Sequence, residues 1–375
     1  MVMEHIERVL RVLRYKEPDR VPIDFGENPA TIHYLALKKL MEYMGWEKNA
    51  PIVCTDKRWG FGRVPESLLK HFGVDFRRIT LNPPSLDEVK YPSEDLYVDE
   101  FGITFRRCGY YYDMIEELKP LYNAKRPSDV EKYVPPRPHE GRLKGLAKRA
   151  RLYEEEGYAV VLNAFSGGIF ELAQWLHGIS NVLKNIVINP ELIESIFDLT
   201  LDIHKTFWEA MLNEVGDYIH IVCYTDDYGT QSGLQISPKH WERFIYPRLK
   251  ELVSFIKKQA KVKIMLHSDG AISPLIGKLI EVGIDILNPV QARAKGMDRQ
   301  KLGREFSGKL IFHGGVDTQY VLPKGSVEDV EREVKDTIDA FFPGYIFYFD
   351  QNIQPDVPPQ NVLAGFRTAL TYTPK

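Results

Sequence analysis

Eight short apolar runs punctuate the chain, at 21–26, 74–79, 159–165, 219–225, 262–267, 284–288, 309–313 and 344–350. Helix-period segments lie between most of them. Short strands that alternate with helices imply parallel βαβ units. Eight such units predict a (β/α)8 TIM barrel, with a doubly wound sheet as the alternative α/β architecture. The expectation is one domain over 1–375, opened by an N-terminal helix. Residues 81–157 break the rhythm. They are rich in Pro, Tyr and charge, with a possible hairpin near 97–107, and read as a long insertion between the second and third strands that decorates the barrel mouth.

The helix signals are local. Ile6, Val9, Leu10 and Leu13 recur at helical spacing, with Pro18 beyond the end. Leu192, Ile196, Leu199, Ile203 and Phe207 stripe a helix from about Pro190 to Val215, with Gly216 as its C-cap. Ser237-Pro238 and Ser273-Pro274 read as helix starts, a capping serine followed by proline at the first helical position.

Composition narrows the function classes. Apolar residues make up 44% of 375, enough for a large core, and the formal charge of −3 with no long basic block argues against a nucleic-acid partner. No apolar run approaches the ~20 residues that span a bilayer, and the N-terminal MVMEHIERVL has no signal-peptide core. Cys54, Cys108 and Cys223 are scattered and form no CxxC pair, so a cytoplasmic protein without disulfides is expected. The phosphate loop GxxxxGK[ST], the GxSxG elbow and HExxH are absent.

In such barrels chemistry gathers at the C-terminal strand ends. Here those ends carry Asp24; Asn163 with Ser166-Gly167-Gly168; Tyr224-Thr225-Asp226-Asp227; His267-Ser268-Asp269; Asn288 and Gln291; His313 with Asp317; and Asp350-Gln351-Asn352. Side chains two apart on a strand share a face, so His267 and Asp269 can act together as metal ligands or as an acid–base pair. The opposing reading makes Asp269 a turn residue that accepts backbone N–H bonds. Asp226 and Asp227 face opposite ways. One can serve the pocket while the other caps a loop, and Asp226 is the catalytic candidate beside His267 and Asp269. Asn163, Tyr224, Gln231, Asn288, His313, Asp317 and Asn352 form the candidate substrate-binding set. Cys223, inside a strand, reads as packing.

Several segments together resemble the uroporphyrinogen decarboxylase superfamily: EHIERVLRVLRYKEPDRVPIDF, NAFSGGIFELAQWLHGISNVLKNIVINPELI, YTDDYGTQSGLQISPKHWERFIYPRLKEL, IMLHSDGAISPLIGKLIEVGIDILNPVQ, FHGGVDTQYVLP and QNIQPDVPPQNVLAGF. The resemblance implies the same barrel and two chemistries, decarboxylation of uroporphyrinogen or methyl transfer between a corrinoid and an acceptor, often with zinc. The decarboxylases carry an arginine-bearing motif after the first strand, where this chain reads FGENPATIHYLAL. That favours the methyltransferase-like branch, since bidentate Arg is the natural carboxylate clamp. The branch's zinc site is His-x-Cys with a later Cys. His267 matches the histidine, Asp269 stands in the cysteine's place, and Gln351 falls where the last ligand belongs. The resemblance implies His267 and Asp269 around a divalent metal, zinc first, completed by Gln351, Asp350 or His313, and the loss of both thiolates argues against a thiol-activating zinc. No corrinoid-binding DxHxxG signature is present, so the corrinoid would come on a partner protein. The resemblance also suggests a homodimer. A porphyrinogen decarboxylase and a non-catalytic small-molecule-binding barrel are the rival readings.

Overall fold

The computed structural model describes residues 3–46 and 52–374. Seven parallel strands follow one another in chain order: Phe76–Ile79, Ala159–Leu162, Ile221–Thr225, Lys263–His267, Ile286–Asn288, Ile311–His313 and Tyr345–Ile346. The sheet curls, and the first predicted run fills the gap between its edges. Ile23 pairs in parallel with Phe347, and Asp75 N donates to Ile23 O at 2.9 Å. The fold is thus TIM-barrel-like. The 21–26 run is much shorter than predicted, a single bridge, in part because Pro22 has no N–H to extend a ladder.

Alternation along the strands builds two cores. Val222, Tyr224, Ile264 and Leu266 face the helical layer. Phe76, Val161, Ile221, Cys223, Met265, Ile286, Ile311 and Ile346 point inward, where they meet Val9, Val12 and Leu13. The helix His5–Val12 therefore plugs the lower end of the barrel. Each buried Val or Leu of that plug contributes about 1.5–3 kcal/mol. Cys223 is fully buried packing.

The plug is also tied down by charge. Asp75, just before the Phe76–Ile79 strand, is fully buried and accepts from Arg8 Nη1 at 2.6 Å, Arg20 Nη1 at 2.8 Å and the Ile23 backbone N–H at 2.8 Å. His5 Nδ1 lies 2.7 Å from it.

The helix Pro190–Val215 has the predicted bounds, and Ser237 caps Pro238–Phe244 by accepting from His240 N. Two details differ. Gly216 is right-handed at φ −56° and runs into a 3-10 turn rather than a left-handed cap. Ser273 opens a 3-10 turn, Ser273–Leu275, and the α-helix begins at Ile276.

The 81–157 excursion holds more than a hairpin. Lys90–Ser93, Leu96–Val98, Thr104–Cys108 and Tyr111–Met114 form a four-stranded antiparallel meander, whose central pair falls on the predicted 97–107 hairpin. Its Phe101, Ile103, Phe105 and Tyr112 join the apolar cluster of the barrel helices. Among the described residues no helix is long and apolar enough to cross a membrane.

Candidate functional site

The barrel mouth is built from strand ends. The Lys263–His267 strand pairs with Ile221–Thr225, His267 beside Thr225 and Met265 beside Cys223. Since Cys223 and Met265 face inward, alternation carries Thr225, His267 and, one step further, Asp227 and Asp269 to the inner side. His267 Nε2 lies 3.7 Å from Asp269 Oδ1, and Asp227 Oδ1 accepts from Asp269 N at 2.9 Å. Asp227, His267 and Asp269 each present a ligand atom, all within 4.8 Å of one another.

Asp226 does not join them. It is fully buried and accepts from Phe170 N (3.1 Å), Glu171 N (2.8 Å), Tyr224 Oη (2.9 Å) and Tyr228 Oη (2.9 Å). These bonds satisfy orphan N–H groups at the start of the Ile169–His177 helix. The structure therefore gives the helix-capping role to Asp226, and Asp227 replaces it at the pocket. Tyr224 is also taken up by this cap, giving its hydroxyl to Asp226 and accepting from Ile169 N, rather than facing the pocket.

Gln351 meets the cluster as a donor. Its Nε2 bonds to Asp269 Oδ1, which Gln291 Nε2 also approaches at 3.3 Å. Gln351 thus orients the carboxylate where the resemblance would have made it a ligand. Asn288 and His313, each the last residue of its strand, lie just beneath the mouth. His267 Nδ1 stands 2.5 Å from Asn288 Oδ1, Asn288 Nδ2 2.6 Å from His313 Nδ1, and His313 Nε2 2.9 Å from Asp24 Oδ2. Asp24 is ion-paired with Arg78, whose Nη1 donates to Asn163 Oδ1 at 2.8 Å. Asn163, Asn288 and His313 therefore belong to one belt joined by Arg78 and Asp24.

The other predicted binders scatter. Asp317 pairs with Arg293 and accepts from Gln319 N and Tyr320 N in its own turn. Gln231 is an exposed loop residue whose carbonyl accepts from Lys295 N. Asn352 donates weakly to Trp59 O at 3.4 Å, and its buried Oδ1 has no partner.

Electrostatics divide the mouth from the belt. Burial, and then the neighbouring Asp227 charge, push the Asp269 carboxyl up to about 7. Burial and Asp227 likewise hold Glu171 well above the usual carboxylate range. Burial pushes the His267 imidazole down, but the Asp269 and Asp227 carboxylates reverse this and leave it raised. In the belt, Arg78 and His313 overcome burial and hold Asp24 at about 2. Burial keeps His313 below its ordinary value. Glu171 and the nearby Arg58, which lies 4.1 Å over the Trp175 ring and 4.5 Å over Trp59, went unnoticed in the sequence. Arg78 was equally overlooked, and Asp227 was weighed but passed over in favour of Asp226.

The cluster's donor set is one nitrogen and two carboxylates. That set suits zinc or another borderline divalent cation. It does not suit a thiolate-rich site, because Cys223 sits inside the wall and Cys54 and Cys108 lie on the strands Cys54–Asp56 and Thr104–Cys108.

The family model described as "Uroporphyrinogen decarboxylase (URO-D)" matches residues 103–372. The chain belongs to this family. Among its relatives, uroporphyrinogen decarboxylase 2, chloroplastic, of Oryza sativa subsp. japonica is 24% identical over 267 residues, 67% of this chain and 62% of that protein. The match therefore spans less than two-thirds of the rice enzyme. The methylcobamide:CoM methyltransferase MtbA of Methanosarcina mazei is 23% identical over 223 residues, 58% of this chain and 61% of the relative. In structure, a methyltransferase from Methanosarcina mazei superposes with a TM-score of 0.65 at 16% identity, covering 98% of both chains, and so shares the fold. The family is thus an enzyme superfamily with both decarboxylase and methyltransferase members similar to this chain.

Proposed function

We propose that this protein is a methyltransferase, moving a methyl group between a small substrate and a corrinoid carried by a partner protein, with a divalent cation held by Asp227, His267 and Asp269. The acidity of the mouth carries this reading. Asp227, Asp269 and Glu171 share it, each of the last two with a raised pKa, and Arg78 is already matched by Asp24. A polycarboxylate macrocycle would meet these carboxylates, with Arg58 already set against Glu171 rather than free to clamp it. The similarity to MtbA agrees with the proposal.

Bound there, the cation would polarise a substrate oxygen or lower the pKa of a thiol or alcohol, and the corrinoid would give or take the methyl group. The chain supplies the rest. Gln351 and Gln291 fix the rotamer of Asp269. Glu171, held well above the usual carboxylate range by burial and Asp227, can keep a proton for a departing oxygen or sulfur, while Asp269, as a cation ligand, is deprotonated. Arg58 lies over the rings of Trp59 (4.5 Å) and Trp175 (4.1 Å).

The test is spectroscopic. Purified protein mixed with cob(I)alamin and a panel of methoxy and methyl-thiol compounds should generate methylcobalamin, and methylcobalamin with thiols should lose its methyl group. Silence in both directions, alongside conversion of uroporphyrinogen to coproporphyrinogen, would replace this reading with the decarboxylase.

A further inference from the structure

The belt beneath the mouth has a directional consequence. We infer that Arg78, Asp24, His313 and Asn288 are positioning residues that keep the single proton of neutral His267 on Nδ1 and turn a bare Nε2 lone pair toward the pocket. The chain of donors can be followed from its fixed end. Arg78 cannot accept, and it bonds Asp24, Asn163 Oδ1 at 2.8 Å and Asn28 O at 2.9 Å. Asp24 is fully buried beside that guanidinium and ionised, so it can only accept. His313 Nε2, 2.9 Å away, must then carry a hydrogen. His313 is itself fully buried and held neutral, so its Nδ1 is a lone pair. That nitrogen needs a donor, which makes the atom 2.6 Å from it the amide Nδ2 of Asn288.

Asn288 has one orientation left. Its Oδ1 faces His267 Nδ1 at 2.5 Å, and an oxygen there demands N–H on the ring. His267 is thereby left with Nε2 free on the side where Asp269 Oδ1 lies at 3.7 Å and Asp227 joins the cluster. A ring nitrogen fixed this way is the form that binds a cation or takes up a proton. The use of that lone pair rests on the proposed function, whereas its existence follows from the belt alone.

The experiment reads tautomers directly. Protein labelled with 15N-histidine gives long-range 15N–1H spectra in which each ring shows which nitrogen is protonated. His313→Gln and His267→Gln spectra supply the assignments. His313 should be the Nε2–H form at neutral pH, and His267 the Nδ1–H form at alkaline pH, where it is neutral. Asn288→Leu should let His267 populate Nε2–H while His313 keeps its own form, and should weaken Co2+ binding by roughly 10–100-fold. An Nδ1–H form of His313 in the native protein overturns the inference, as does a His267 that stays wholly Nδ1–H in Asn288→Leu. If that variant does not fold, the native spectra decide. Should native tautomers be as stated while Co2+ and methyl transfer both fail, the proposed function falls and the belt assignment stands.

Discussion

Two buried carboxylate clusters sit at opposite ends of this barrel, and they are built on opposite principles. At the closed end, Asp75 is surrounded by Arg8, Arg20 and His5, and its pKa is lowered although burial alone would raise it. At the mouth, Asp269 meets Asp227 and shares its surroundings with Glu171, and the carboxyls of Asp269 and Glu171 are raised. Both ends remove acids from water, which is unfavourable for the charged form. At the closed end the cations win and the acid is lowered, whereas at the mouth Arg58 and His267 do not overcome burial and the neighbouring carboxylates. The contrast separates a group kept for stability from one kept ready for an external proton, cation or substrate.

The sharpest way to break this contrast is to strike both ends and measure both properties. Under the proposed function, His267→Ala should lower methyl transfer on the order of 10²–10⁴-fold, at a stability cost of about 1–3 kcal/mol for leaving the buried Asn288 Oδ1 without its donor. Asp75→Ala should put its larger effect on stability. It strands Arg8, 3% exposed, and Arg20 at the plug, and breaking such a buried pair costs about 3–5 kcal/mol in a urea titration. Its turnover per folded molecule should hold. A His267→Ala protein that lost stability like the Asp75 variant would erase the distinction.

Cations sharpen it next. Zn2+ or Co2+ at 100 times its dissociation constant should stabilise the native protein by about 2.7 kcal/mol, read as a rise in melting temperature. Asp227→Asn should abolish that rise and Asp75→Ala should keep it. A rise that survives Asp227→Asn would place the ion elsewhere.

These contrasts also show what could be read from the chain beforehand. Periodicity located every barrel strand position and the full length of Pro190–Val215, because burial of one helix face and both sheet faces leaves that pattern in the residues themselves. It overstated 21–26, where pairing reduces to Ile23 with Phe347. His267 and Asp269 were visible for the same reason, a two-residue repeat at a strand end. The choice between Asp226 and Asp227 needed the parity of the Ile221–Thr225 strand that leads into them. Cys223 facing inward would have supplied it, carrying Thr225 and then Asp227 to the same side. Nothing local marks Arg78 or Glu171. Their places depend on Asp24 and on the Asp226 cap, 54 and 55 residues away in sequence.

The weakest expected effect extends the comparison outward and sets the two ends against pH. Asp19, bonded to Arg8 at the closed end, is held at about 2 by that pair against its burial. Its unfolded value is near ~3.9, so its stabilisation is present above that pH and is lost as the pH falls toward 2. Asp99, in the excursion near Arg58, is raised to about 7 by burial and by Glu100. Between ~3.9 and 7 the folded state holds the extra proton, so stability declines as pH rises through that window and the loss is complete above it. Asp99→Asn keeps an acceptor for the N–H groups of Phe101 and Ile103 but removes the titration. Its melting temperature should therefore fall less than the native one between pH 4 and 7. Asp19→Asn should leave that limb intact and flatten only the acid side. If Asp99→Asn and the native protein trace parallel curves across the window, the excess of negative charge stops at the mouth itself and does not reach into the excursion.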